Sequence, residues 1–327
     1  HAGNVGGAVR DALGMAAGTA AAVVRRRARL SGKADVMVAL AHMESPRIKA
    51  WLGGIEPAWT LLDWNSFRAL AGFSPVLSGE PIEFNTELSP EEFRGSAFAQ
   101  HAIILLKAAM EGDGLKLTAT GNLARSVVSE MVDRFDWPFY DMEMLFRMNK
   151  VINEPDFFPL YLTRMITQEA KFFRKSKDHL KTSPLGRSML DPQKFGELQR
   201  VLFIIHMWRL VTPNYVPAQA FRWPLADIGV ILWALSVAAT DWETSEKLAR
   251  LCSIPIEEVI RSDSDMASFT METQILRPLF HFGFLEHRRD PIAGSLHLKT
   301  HLYRRTPLFD RFFSFHVTLE NPDGSRH

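Results

Sequence analysis

The chain has 327 residues, 46% hydrophobic and 23% charged, with 38 Lys and Arg against 37 Asp and Glu for a formal net charge of +1. Those values exclude a disordered or collagen-like chain, and they lack the basic excess of a dedicated nucleic-acid binder, so any cationic footprint must be local. The single cysteine, Cys252, excludes an internal disulfide framework and a cysteine-based zinc site. It reads as a small buried apolar residue and fits a reducing compartment, the cytoplasm.

The sequence opens on His1, and residues 1–45 are rich in Ala and Gly, with Arg25, Arg26, Arg27 and Arg29 after a short apolar run. A signal peptide carries its charge before the apolar region, and no window supplies the ~20 apolar residues of a membrane span. The segment reads as a flexible extension, the alternative being an amphipathic surface anchor. The natural fold is expected to start near Met43, with no membrane partner.

Residues 46–100 hold Trp51, Trp59 and Trp64 among Pro57, Pro75, Pro81 and Pro90. Prolines so spaced predict short helices joined by turns. Ser89-Pro90-Glu91-Glu92 reads as a capped helix start, with the helix running through 97–110. A turn at 111–114 leads to a short strand at 115–118. A helix follows with Leu123, Val127, Met131 and Phe135 on one face, ended by Trp137-Pro138. The next unit starts near Asp156, with a helix over 160–173. The stretch 171–187 sets Lys171, Arg174, Lys175, Lys177, Lys181 and Arg187 against Asp178 alone. Residues 195–210 are apolar all round, as in a buried helix.

The C-terminal third reads most clearly. An apolar helix over 225–239 precedes a short helix at 244–251 capped by Thr244, a turn at Cys252-Ser253-Ile254-Pro255 and a further helical turn from Ile256. A longer helix over 268–282 ends at Gly283. A strand at 284–287, a tip at 291–294, and Leu296, Leu298 and Leu302 alternating with His297, Lys299 and His301 read as a half-buried ribbon. That order is the plan of a winged helix.

Three tracts echo one another: Leu115-Lys116-Leu117-Thr118-Ala119-Thr120-Gly121, Leu180-Lys181-Thr182-Ser183-Pro184-Leu185-Gly186 and Tyr303-Arg304-Arg305-Thr306-Pro307-Leu308-Phe309. Each suggests a strand that ends where Ser or Thr caps the next helix, in two or three divergent copies of a helix-plus-hairpin unit. The first of them, continued through Leu123, together with Asn153-Glu154-Pro155-Asp156 and 180–189, resembles a tract of uncharacterised bacterial proteins. These are grouped with a plasmid-borne third open reading frame, and some bear a Cys-rich SEC-C tail. The resemblance covers 101–192, lacks the SEC-C cysteines and implies a bacterial source more than an activity.

The fold class expected is therefore mainly α, with winged-helix-like modules and small β-hairpins. The expected parts are 1–45 as extension, 46–100 as an N-terminal helical segment, 101–215 as a helical domain with two strand elements, 216–319 as a winged-helix-like domain and 320–327 as a tail.

No catalytic constellation emerges: there is no phosphate-binding glycine loop, no GxSxG elbow and no HExxH. Asp141, Glu143, Glu154 and Asp156 read as capping or surface carboxylates. His281, His287, His297, His301 and His316 read as residues of a polar wing, with no metal and no cofactor expected. Two functions remain open. One is a DNA-associated regulator or accessory factor on double-stranded DNA. Thr270, Thr273, Gln274 and Arg277 would face base edges, while Arg288, Arg289, Lys299, Arg304 and Arg305, with the 171–187 cations, would face phosphates. It requires Arg277, Arg288 and Arg304 on one continuous face. The other is a non-enzymatic protein–protein adaptor, which requires an exposed apolar patch.

Overall fold

A computed structural model describes residues 43–75, 81–210, 223–260, 266–292 and 299–320. The extension before residue 43, the tail after 320, and Leu296, His297 and Leu298 lie outside those residues. In chain order the helices are α1 (Pro46–Leu52), α2 (Trp64–Ala71), α3 (Ala97–Ala108), α4 (Arg125–Arg134), α5 (Met142–Met148), α6 (Phe158–Glu169), α7 (Pro184–Ser188), α8 (Phe195–Ile204), α9 (Ile228–Ala238), α10 (Ser245–Cys252), α11 (Met266–Met271), α12 (Arg277–His281) and α13 (Pro307–Phe312). The strands are β1 (Ile82–Phe84), β2 (Leu115–Lys116), β3 (Phe173–Ser176), β4 (His179–Thr182), β5 (Glu243–Thr244), β6 (Leu285–Pro291), β7 (Lys299–Arg305) and β8 (Phe313–Phe315). The described chain is thus mainly α with small antiparallel sheets.

The chain forms two compact units, one of residues 86–210 and the other of the described residues on either side. This differs from the expected partition, in which 46–100 stood apart. Residues 46–85 instead build the second unit with the C-terminal third. There β1 pairs antiparallel with β8, Trp59 Nε1 donates to the Ser253 carbonyl at 3.0 Å, and α2 packs on the apolar α9.

In the first unit α3 is the central helix, flanked by α6 and α8. Its inward residues Phe98, Ala102, Leu105 and Leu106 are fully buried, as the apolar run demands. The helix does not start at Ser89: residues 92–95 form a separate 3-10 turn, and Gly95-Ser96 interrupts the chain. Ser96 becomes the true cap, accepting from Ala99 N at 3.2 Å and donating to the buried Gln199 at 2.8 Å. The sheet order is β2-β4-β3.

The second unit repeats that order of elements, except that no described helix corresponds to α5. Here α9 is followed by β5, by α10 capped by Thr244, and by a turn at 256–260 whose Val259 and Ile260 N–H groups donate to the Ile256 carbonyl, at the place of the expected helical turn. The helix over 266–281 follows, then β6 and β7, in sheet order β5-β7-β6. That helix is opened by a π turn at Glu272–Leu276.

The likeness extends to single hydrogen bonds. Ser183 N donates to Phe172 O, and Ser183 Oγ to Lys171 O at 2.8 Å. In the second unit Thr306 N donates to Phe284 O, and Thr306 Oγ1 to Gly283 O at 2.7 Å. Lys171 and Gly283 both take the left-handed conformation after their helix, at φ 60° and 78°. Ser183 and Thr306 then cap α7 and α13. Two of the three echoed tracts therefore occupy equivalent places. The tract at 115–121 lies at β2, an earlier position of the same plan.

Candidate functional site

Strand alternation decides where the expected DNA-contacting residues of the second unit lie. Residues directly opposite one another in an antiparallel pair share a face. Glu286 pairs with Arg304, Arg288 with Leu302 and Asp290 with Thr300, which defines the outer face. Leu285, His287 and Arg289 pair with Arg305, Tyr303 and His301 on the inner face, with Lys299 opposite Pro291 at its end.

On the outer face the guanidinium carbons of Arg288 and Arg304 lie 4.8 and 4.9 Å from the Trp242 ring centroid. Arg288 is also bound to Asp290 at 2.9 Å and Arg304 to Glu286 at 2.7 Å. Arg277 is held on the other side. Its Nε and Nη2 donate to Glu272 Oε1 at 2.8 and 2.7 Å, and His301 Nδ1 lies 2.9 Å from the same oxygen. Arg277, Arg288 and Arg304 therefore do not share one face. Arg305 is paired with Asp310.

The helix over 266–281 exposes little that could read a base. Thr270 is buried, Thr273 returns its hydroxyl to the Phe269 carbonyl at 2.8 Å, and Gln274 Oε1 is buried without a hydrogen-bond partner. Its most exposed large side chain is Phe269.

The histidines correct a second expectation. His287 and His301 are not on a polar wing face but half-buried on the inner one. His287 stacks on Tyr303 at 4.6 Å and 8°, and its Nε2 lies 3.2 Å from His301 Nδ1. Burial, with His301, Arg289 and Arg277 adding to it, pushes His287 down to about 3. Among the described residues no group of three or more His, Cys, Asp or Glu is arranged to hold a metal ion. Cys252 is buried, and burial raises its thiol pKa.

In the first unit α6 holds the place that the 266–281 helix holds in the second. It too is sealed. Arg164 and Glu154 form a buried ion pair, and Glu154 Oε2 accepts Leu123 N–H at 2.6 Å. Glu154 is thus not the surface carboxylate that its neighbours suggested, although Asp156 and Asp141 do cap, accepting Asn153 N and Met144 N at 2.8 and 2.7 Å. What α6 leaves at least partly open is Phe158, Tyr161, Met165, Gln168 and Glu169, a stripe without a cation. Just before it in sequence, Phe139, Met144, Phe146, Met148 and Val151 are exposed, as is Phe158, all between 42 and 69%. Sequence reasoning assigned the carboxylates of 139–155 but no role to the apolar side chains among them. The available signal was Met142–Met148, a short helix with too many large apolar side chains for one inward face.

Of the cations of 171–187, Arg174, Lys175 and Lys181 lie on the β3–β4 ribbon and Arg187 lies in α7. Arg174 lies opposite Lys181, Ser176 opposite His179, and Lys116 of β2 joins the row through His179. Lys175 is on the other face, opposite Leu180. Lys171 and Lys177 sit in left-handed turns at the two ends of β3, and both are exposed. Asp178 is bound to His179 at 2.9 Å. Lys116 was missed, although Leu115-Lys116-Leu117-Thr118 alternates with the Lys outward.

Residues 94–195 match the family model for the Y4jL N-terminal domain. The uncharacterised protein y4jL of Sinorhizobium fredii is 36% identical over 86 residues, which are 26% of this chain and 39% of that protein. The match thus spans about two-fifths of the relative's length. These similarities place the first unit beside an uncharacterised bacterial family. No solved structure matches the chain. Among the described residues no helix is long and apolar enough to cross a membrane.

Proposed function

We propose that both units are winged-helix-like modules and that the chain is a non-enzymatic protein–protein adaptor acting in the cytoplasm. The module reading is supported by the shared order of helix, short strand, helical segments (α4 to α6 in the first unit, α10 and the 266–281 helix in the second) and ribbon, with the first strand pairing on the last. A winged helix serves protein contacts as readily as DNA, so the function must be argued from surfaces. The compartment rests on Cys252 as the sole cysteine. The narrower kinship with plasmid third-open-reading-frame proteins rests on the three tracts quoted above.

One observation carries the adaptor reading: six large apolar side chains exposed within residues 139–158. Burying one such side chain is worth about 1.5–3 kcal/mol, so leaving six in water is a cost that a partner would remove. Methionine and phenylalanine suit such a surface, because thioethers adapt to irregular partners and aromatic rings bury a large area. Base readout by the helices is disfavoured, because the 266–281 helix offers one cation, Arg277, already bound to Glu272, and Arg164 of α6 is buried.

The test is chemical cross-linking in cells that express the full chain, comparing wild type with the Met144→Ser, Phe146→Ser, Met148→Ser triple variant. The adaptor reading expects specific cross-linked species that the triple variant loses while its melting temperature is unchanged. An identical set of species from both chains refutes it.

A further inference from the structure

We infer that the outward face of the β2-β4-β3 sheet is a second binding surface, which takes the phosphodiester backbone of nucleic acid without reading its sequence. The face is set by strand register. Its rows are Lys116–His179–Ser176 and Lys181–Arg174. The opposite face turns Leu115, Phe173, Leu180 and Thr182 inward, and Thr182 is tied to the Leu106 carbonyl at 2.7 Å. Everything on the outward face is cationic or polar.

Spacing and pairing make it a polyanion surface. Strands lie ~4.8 Å apart, and same-face neighbours along a strand lie ~6.8 Å apart. Lys116, Arg174 and Lys181 therefore crowd into one patch, with Lys177 at its tip. Among the described residues none of these four forms an ion pair or hydrogen bond through its side chain, although Asp178 feels the charge of Lys116. The carboxylate beside them, Asp178, is occupied by His179. Crowding like charges costs energy that an anion relieves. The second unit shows the contrast, since its Arg288, Arg304 and Arg305 each have a carboxylate partner.

The chemistry selects the partner. An anionic membrane or an amphipathic acidic helix would need apolar contacts beside the charges, and this face has none. A phosphodiester strand presents closely spaced anions and little else at its edge, one per ~3.4 Å of helix axis on each strand. Absence of sequence readout follows from α6, whose Arg164 is buried and whose open stripe is Phe158, Tyr161, Met165, Gln168 and Glu169.

The experiment is filter binding of the full chain to 20-base-pair duplexes of differing sequence over a salt series. Four phosphate contacts predict a log–log slope of about −3.6. Replacing Lys116, Arg174 and Lys181 by Gln removes three contacts. The slope should fall to about −0.9, and affinity at 0.1 M salt should drop about 500-fold. Lys175→Gln, on the opposite face, should leave both nearly unchanged and serves as the folded control, alongside an unchanged melting temperature. No retention at low salt, equal losses from Lys175→Gln and Arg174→Gln, or a tenfold preference among duplexes each overturns the inference. So does tighter capture of polyglutamate or anionic vesicles than of the duplexes. None of these outcomes bears on the apolar surface at 139–158.

Discussion

The buried pair of Glu154 and Arg164 is the sharpest test of how the first unit is held together. Glu154 is fully buried, and the Arg164 side chain is 7% exposed. One carboxylate oxygen takes Arg164 Nε and the other takes Leu123 N–H, while Arg164 Nη1 donates to Gln168 at 2.8 Å. The residue thus ties α6 to the chain entering α4. Glu154→Gln keeps the shape but leaves a buried guanidinium without its counter-charge and adds an amide N–H₂ with no acceptor. Breaking a buried pair this way costs about 3–5 kcal/mol. For a unit of this size, that lowers its melting transition by about 10–20 °C. Adding Arg164→Met removes the stranded charge, so the double variant should recover most of the loss. What remains is about 1–2 kcal/mol for the buried amide N–H₂ without an acceptor, since the amide oxygen still accepts Leu123 N–H. Calorimetry and urea unfolding of all four chains close the cycle. A single-variant loss below about 1 kcal/mol, or additivity of the two substitutions, refutes the argument, because either means that the charges do not depend on each other.

Other consequences can be measured in the same way. His287 titrates near 3 in the folded protein and near its ordinary 6.5 when unfolded, so the unfolded chain takes up the extra proton between those values. Stability should therefore fall as pH drops from 6.5 toward 3. His287→Phe, which keeps the ring on Tyr303, should reduce that fall in urea midpoints at pH 7.5 and 4.5; an undiminished fall would assign the dependence elsewhere. Ser183→Ala and Thr306→Ala each lose a cap and a bond to the preceding turn, and each should cost about 1 kcal/mol in urea unfolding. A cost in one unit only would break the equivalence of the two positions. Gly186→Ala puts a Cβ 2.2 Å from the Phe172 carbonyl oxygen, so α7 must shift off the ribbon. The unfolding midpoint should drop by more than either cap variant causes, and a neutral result would mean that the close approach is absent.

The features legible in the sequence were local ones. Thr244 before α10, Gly283 after α12 and the Ser183-Pro184 and Thr306-Pro307 steps each declare their role within four residues, because caps and left-handed turns are satisfied by near neighbours. Period two at Leu115-Lys116-Leu117 was equally plain. What escaped was set by contacts distant in sequence. Nothing near Ile82-Glu83-Phe84 announces that it pairs with Phe313-Ser314-Phe315, so 46–85 could not be assigned to the second unit. Arg277 looked free, and Arg164 drew no reading, because a cation's exposure depends on a carboxylate that folding brings to it. Arg277 met Glu272 within a helix widened by a π turn, and Arg164 met Glu154 across the entry to α6.

The two units share a scaffold but not a surface, and that difference locates function better than the scaffold does. The equivalent bonds at Ser183 and Thr306 show how little the backbone plan needs: a capping hydroxyl, a left-handed residue and an apolar anchor, Phe172 or Phe284. Charges on the ribbons are not required for that plan, so their arrangement is free to differ. In the second unit Glu286, Asp290 and Asp310 balance the arginines, and Trp242 covers two of them, which closes the outer face. In the first unit Lys116, Arg174, Lys177 and Lys181 have no such partners among the described residues, and six large apolar side chains stay in water. A ribbon that folds equally well with its charges paired gains nothing in stability from leaving them open. The open arrangement is therefore better explained by a ligand than by the fold, and it falls within residues 94–195, the part of the chain that matches the bacterial family.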